Sequence, residues 1–65
     1  MLRNRIREKR EEQRMSLSQL AEAIGVSDRI IRAIESQQTF PTAKLALKLC
    51  YALGNEYEEL FYYAA

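Results

Sequence analysis

The chain has 65 residues, enough for one domain and too few for a second. One cysteine and no histidine exclude an internal disulfide and make a metal site of ordinary ligand type an unpromising reading. The net charge of +1 is weak evidence for a nucleic-acid partner, but its distribution says more: residues 1–32 hold eight Lys/Arg against five Asp/Glu, and residues 33–65 hold two against four.

A chain this short buries only about 60% of the surface its unfolded form exposes, so without cross-links it relies on dense packing or on a partner. Cys50 lies inside an apolar helical run and reads as a buried, inert thiol. The first residues lead straight into charged sequence, and no apolar stretch approaches membrane-spanning length. The expected location is the cytoplasm. No cofactor is expected. An enzyme is also not expected, for lack of a histidine, a supported nucleophile, a metal set or a phosphate-cradling glycine loop.

Alternation long enough to compete with helical spacing is missing throughout, so the spacing predicts five helices and no strand. The first, about Arg3 to Arg14, is rich in good helix formers, and Arg7–Glu11 and Lys9–Glu12 are spaced to support it. Its apolar face is thin, with Leu2 and Ile6 its clear members. Ser16 reads as an N-cap, and Gln19 completes a capping box for a helix from Leu17 to Ile24. Gly25 suits the left-handed turn that ends it. Val26 is a buried link, Ser27 caps a third helix through about Glu35, and Asp28 in its first turn agrees with the helix dipole.

The polar segment Ser36-Gln37-Gln38-Thr39-Phe40 then leads to Pro41, which disfavours helix at Phe40, and to Thr42, a cap for the next helix. That fourth helix, Ala43 to Leu53, carries an apolar stripe at 45, 46, 49, 50 and 53 and stops at Gly54. Asn55 with Glu58 suggests another capping box for a short fifth helix ending at Phe61 or Tyr62.

The segment from Leu17 to Ser36 is the informative one. A steep two-helix crossing through a short glycine turn needs a small residue near the turn, here Ala21, and a residue free of a Cβ penalty, here Gly25. Leu20, Ile24, Val26, Ile31 and Ile34 hold the pair together. Packing at the back leaves one face of the second helix of the pair free to enter a major groove, N-terminal end first. Asp28, Arg29, Arg32 and Ala33 fall on that face, with Ser27 at its leading edge.

The sequence resembles the Cro/CI-type helix-turn-helix family, also called the XRE family, which includes the lambdoid phage repressors. Residues 15–21, 24–27, Ile31 with Ile34-Glu35, and the stretch from Pro41-Thr42 to Leu53-Gly54 carry the resemblance, which runs from about Ile6 to Phe61. It implies an all-α, compact five-helix, lambda repressor-like domain over residues 1–65, with the helix-turn-helix unit at about 17–36. It also implies double-stranded DNA with two-fold related half-sites as the partner, and a small dimeric transcriptional regulator, a repressor, as the function.

The same resemblance implies a partly buried ion pair between Arg10 and Glu35. It puts Arg29 among base-reading positions, where an arginine can bond guanine O6 and N7. Asp28 occupies another such position, where it accepts from cytosine N4, serves as a cap or orients Arg29, or has no role in reading DNA. Arg32 contacts a base or a phosphate, and Ala33 can offer a methyl contact to thymine. Ser16, Leu17 and Ser27, near helix N-termini, and the turn Gln37, Gln38 and Thr39 are expected at the DNA backbone. Three positions depart from the family pattern: Leu17 where glutamine is common, Lys9 where relatives are apolar, and an uncharged turn where lysine or arginine is frequent.

Helix 5 and the tail, 56–65, are the expected homodimer element, with Tyr57, Leu60, Phe61, Tyr62 and Tyr63 assigned to it. Some of this surface must cover the core, with Leu60 and Phe61 expected inward, and the exposed remainder marks the partner surface. The competing reading is a protein-interaction module, an antitoxin-like or accessory subunit with weak DNA affinity, favoured by Leu17, Asp28, Ala33 and the uncharged turn.

Overall fold

The computed structural model describes residues 1–64. Its elements in chain order are β1 (Leu2–Asn4), α1 (Ile6–Glu12), α2 (Leu17–Ile24), α3 (Asp28–Glu35), α4 (Ala43–Leu53), α5 (Tyr57–Leu60) and β2 (Phe61–Tyr63). Five helices are present as expected, with one addition to the all-helical reading among the described residues. A two-stranded sheet joins the two ends of the chain.

The strands run antiparallel, with Leu2 opposite Tyr63, Arg3 opposite Tyr62 and Asn4 opposite Phe61. The ladder continues past both strands: the Arg5 N–H donates to Leu60 O at 2.7 Å and the Ala64 N–H to Met1 O at 2.8 Å. An isolated two-stranded ribbon is marginal in water, so packing must hold it. Leu60 and Phe61 are buried in the core, and the Arg5 guanidinium lies 4.0 Å from the centre of the Tyr62 ring.

Both terminal helices are shorter than expected. The first begins at Ile6, not Arg3, because Asn4 accepts the Ile6 N–H at 3.2 Å and donates to Ile34 O at 2.9 Å, which holds Leu2–Asn4 extended. The last is capped at Glu56, not Asn55. There the Glu56 N–H donates to the Glu59 carboxylate at 2.6 Å, and this bond is the leading reason that the Glu59 pKa is lowered. It stops at Leu60, since Phe61 is already extended. The final residue of the tail, Ala65, lies outside the described residues.

The three middle helices begin on hydroxyl caps: Ser16 accepts the Gln19 N–H at 3.0 Å, Ser27 the Ile30 N–H at 3.4 Å, and Thr42 the Leu45 N–H at 3.2 Å. All four long helices end in one kind of turn. A left-handed residue sends its N–H back three residues, and the next N–H reaches back five. For α2 these are Gly25 N–H to Glu22 O at 3.3 Å and Val26 N–H to Ala21 O at 3.0 Å. Gly54 does the same for α4. The left-handed residues after α1 and α3 are not glycine but Arg14 and Gln37, at φ 56° and 66°.

The core is one cluster. Ile6 from α1, Leu20, Ala21 and Ile24 from α2, and Ile31 and Ile34 from α3 meet Ala46, Leu49 and Leu53 of α4, closed by Leu60 and Phe61. Ala21, the small residue expected beside the turn, is buried in this cluster.

Gly25 sits at φ 75°, and a Cβ built there meets no atom within 4 Å. Substituting alanine therefore tests backbone conformation alone. Gly25→Ala is expected to destabilise the domain by about 1–2 kcal/mol. The check is a lower urea midpoint with an unchanged slope.

Candidate nucleic-acid interface

Helix α3 is held from behind and free in front. Ile31 and Ile34, one turn apart, are buried, while Arg29 and Arg32 on the other side are exposed. Among the described residues neither arginine has an ion-pair partner: the three salt bridges use Arg7–Glu11, Lys9–Glu12 and Arg10–Glu35. Two unpaired guanidinium groups on the exposed side of one helix form a local positive face on a chain of net charge +1.

Asp28 is half-buried at the first turn of α3 and accepts a hydrogen bond from the Ser18 hydroxyl of α2. One carboxylate oxygen is thus committed to joining the two helices. Ser18 was not legible as a site residue, because its partner lies across the turn. Ile30 is 41% exposed between the arginine positions, an apolar group on a face otherwise charged. Helical spacing signals this, since only 31 and 34 share the core side. Ala33 is half-buried, and its carbonyl accepts the Ser36 hydroxyl and the Gln38 N–H, at 3.2 and 3.0 Å.

Ser16 and Ser27 are exposed at the N-termini of α2 and α3, each with its oxygen occupied as a cap and its hydroxyl proton still available. Leu17 packs half-buried against the core, so only its backbone N–H faces outward chemistry at the first turn of α2. In the turn after α3, Gln38 and Thr39 are exposed. Gln37 is different from the expectation of a side chain open to phosphate. Its amide is half-buried, accepting from Asn4 Nδ2 at 3.2 Å and donating to Asn4 O and Glu35 O at 3.4 and 3.3 Å.

Behind α3 the Arg10 guanidinium grips Glu35 with two bonds, Nε to Oε2 at 2.7 Å and Nη2 to Oε1 at 3.1 Å, and Nη1 donates to Met15 O at 2.8 Å. The two side chains are only 10% and 7% exposed. Hydrogen bonding to Glu35 raises the Arg10 pKa above its ordinary value, against the desolvation that lowers it. The fork geometry of arginine suits this three-way grip, which a lysine could not reproduce.

The tail is divided between core and surface. Leu60 and Phe61 are buried in the core of their own chain, where Phe61 meets the rings of Tyr57 and Phe40 at 4.8 and 5.4 Å. Tyr62 lies half-buried under Arg5. Of the five residues only Tyr57 and Tyr63 are left exposed. A larger apolar surface lies on α4, whose outer side bears Leu47 and Tyr51, 59% and 80% exposed. With Phe40, Pro41, Cys50 and Tyr57 they line a groove of about 800 Å³. Burial raises the pKa of the Cys50 thiol first of all, with Glu56 and Glu58 adding to it, which leaves the group less reactive.

Among the described residues no helix is long and apolar enough to cross a membrane, and no group of three or more His, Cys, Asp or Glu side chains is placed to hold a metal ion.

A capped helix, a left-handed glycine turn and a second capped helix with buried back and arginine front define a helix-turn-helix domain. The Helix-turn-helix family model matches residues 6–60. YgzD of Bacillus subtilis (strain 168), an uncharacterized HTH-type transcriptional regulator, is 33% identical over 61 residues, covering 94% of this chain and 92% of its own. An uncharacterized HTH-type transcriptional regulator of Methanothermobacter thermautotrophicus is 38% identical over 61 residues, 92% and 88% of the two chains. A crystal structure of a proposed DNA-binding protein from Bacteroides fragilis superposes with a TM-score of 0.88 at 26% identity, covering 95% of this chain and all of that one. The chain belongs to the XRE-type, or Cro/CI-type, helix-turn-helix family.

The Arg10–Glu35 pair sets a prediction. Glu35→Ala strands a buried guanidinium and is expected to destabilise by about 3–5 kcal/mol, whereas replacing both partners with methionine and leucine costs far less. Urea denaturation of the single and double variants measures the difference.

Proposed function

We propose that this domain binds double-stranded DNA as a small two-fold dimer, reads the major groove with α3, and represses transcription in the cytoplasm by occupying its site. The observation that carries this reading is the pair of exposed, unpartnered arginines, Arg29 and Arg32, on a helix whose other side is locked into the core. An arginine with nothing to bind within its own chain keeps its fork for guanine O6 and N7. Asp28 supports the reading through the carboxylate oxygen not bonded to Ser18, which can accept from a cytosine amino group, and Ala33 through a methyl contact to thymine. The N–H groups at the starts of α2 and α3, with Ser16, Leu17 and Ser27, suit phosphate, and so do the exposed Gln38 and Thr39.

Arg29→Ala is expected to weaken binding to a site selected from random duplex by about 1–3 kcal/mol and to relax the preference at one base pair. An equal loss on all sequences would make Arg29 a phosphate contact. Affinity that does not fall with rising salt would remove the DNA reading, because phosphate contacts give a slope of about −0.9 each.

The dimer reading rests on the α4 groove. It is apolar at its centre, with Leu47 and Tyr51, and of the charged side chains only Glu56 lines it. An exposed apolar patch of this kind suits a second copy of the same patch turned by a two-fold axis. To read successive major grooves, such a dimer must hold its two α3 helices about 34–36 Å apart. Sedimentation at micromolar concentration should give a dimer, and Tyr51→Glu should give a monomer with an unchanged fold. A wild-type monomer that stays monomeric on DNA would end this part of the reading. The same groove favours the second reading, an antitoxin-like or accessory subunit, in which it takes a different protein and the salt slope is near zero.

A further inference from the structure

The turn after α3 is built on a residue that does not favour it. Gln37 holds φ 66°, where the Cβ of an ordinary residue crowds its neighbouring carbonyl. Arg14 holds a similar angle without any side-chain hydrogen bond among the described residues, whereas Gln37 is tied on both sides of its amide. The partner is Asn4, which is buried. Asn4 uses every polar atom of its side chain. Nδ2 donates to Ile34 O at 2.9 Å and to Gln37 Oε1 at 3.2 Å, and Oδ1 accepts the Ile6 N–H at 3.2 Å. Ile34 O also accepts the Gln37 N–H at 3.1 Å, so Asn4 grips the same carbonyl that closes the turn. The Gln37 amide then returns a bond to the Asn4 carbonyl at 3.4 Å.

We propose that Asn4 is a positioning residue for the DNA-facing turn, holding Gln37 in its left-handed conformation and so setting where Gln38 and Thr39 are presented. The proposal rests on the reading that this turn meets the phosphate backbone. It assigns Gln37 an internal role: its side chain locks the turn and makes no contact with DNA. Because Asn4 lies in β1, opposite Phe61 of β2, the pairing of the two chain ends is what aims the turn.

Four variants separate this from a general loss of structure: Asn4→Ala, Gln37→Ala, Gln37→Gly and the double Asn4→Ala/Gln37→Gly. Three readouts are needed: amide chemical shifts of residues 37–39 without DNA, urea denaturation, and affinity for duplex across salt. Asn4→Ala and Gln37→Ala should move the 38 and 39 amides and weaken binding roughly fivefold to tenfold, the scale of one hydrogen bond. Their salt slope should become shallower, by about 0.9 for each phosphate that the turn no longer engages. Gln37→Gly should keep the wild-type slope, because glycine adopts this angle without a clasp. The double variant should recover affinity but not stability, which a purely structural role for Asn4 does not allow.

Equal losses from Gln37→Ala and Gln37→Gly would overturn the proposal and make the glutamine itself a DNA ligand. A folded Asn4→Ala with unmoved amides would overturn it too. If Asn4→Ala does not fold, the Gln37 pair decides alone. If the wild-type protein shows no salt-dependent duplex binding, the DNA reading fails, and the amide shifts still decide whether Asn4 sets the turn.

Discussion

Helix α1 buries one large apolar side chain completely, Ile6, and could not be fixed in place by that alone. What fastens it is the Arg10 guanidinium, with two bonds to Glu35 at the end of α3 and one to Met15 O in the turn before α2. One side chain therefore ties three segments: the body of α1, the entry to α2 and the exit from α3. In a chain of 65 residues with no cross-link, a charge placed where water is nearly excluded is a large risk, because it must be fully partnered. Here it is partnered, and the geometry leaves α3 with a fixed end. The opposite end is fixed by the Ser27 cap and by the bond from Ser18 to Asp28. A helix anchored at both ends and along its Ile31–Ile34 side presents its arginines in one orientation. That limits the entropy lost when they meet a partner.

The second constraint is the closure of the chain on itself. A ribbon of two three-residue strands contributes little alone, yet it places Asn4 beneath the end of α3 and Phe61 over the core. The ion pair and Asn4 act on successive parts of the same exit: Arg10 on Glu35, Asn4 on Ile34 O and the Gln37 amide. Both stabilise the point where α3 gives way to the turn.

The parts legible in the sequence were those encoded locally. Ser16, Ser27 and Thr42 are caps because a hydroxyl can reach an N–H three residues on, and Gly25 and Gly54 stop helices because glycine takes a positive φ freely. Local signals place α2, α3 and α4 within a residue of where they lie. The strands were not legible, since three residues are too few for an alternating pattern and their pairing joins positions about sixty apart. Arg3 and Arg5 read as helix formers until Asn4 has a partner to hold it extended. The left-handed turns at Arg14 and Gln37 carry no glycine, and only the folded chain shows that they repeat the turn of Gly25. At the fifth helix two overlapping capping patterns compete, Asn55 with Glu58 and Glu56 with Glu59, and the second prevails once Phe61 enters the sheet.

In the aromatic tail, core and surface compete for the same residues. Leu60 and Phe61 are apolar enough for an interface, but a small domain needs them for its own core, and packing them there leaves Phe40 and Tyr57 stacked half-exposed on Phe61. The exposed apolar surface is thereby moved from the tail to the outer side of α4, where Leu47 and Tyr51 alternate with the buried stripe of Ala46, Leu49 and Leu53. This groove begins at Phe40 and Pro41, immediately beyond the turn that Asn4 and Gln37 hold. A partner seated in the groove would press on one end of that short segment while the clasp holds the other. On the proposed reading, the partner-binding groove and the phosphate-contacting turn therefore share one short segment of chain.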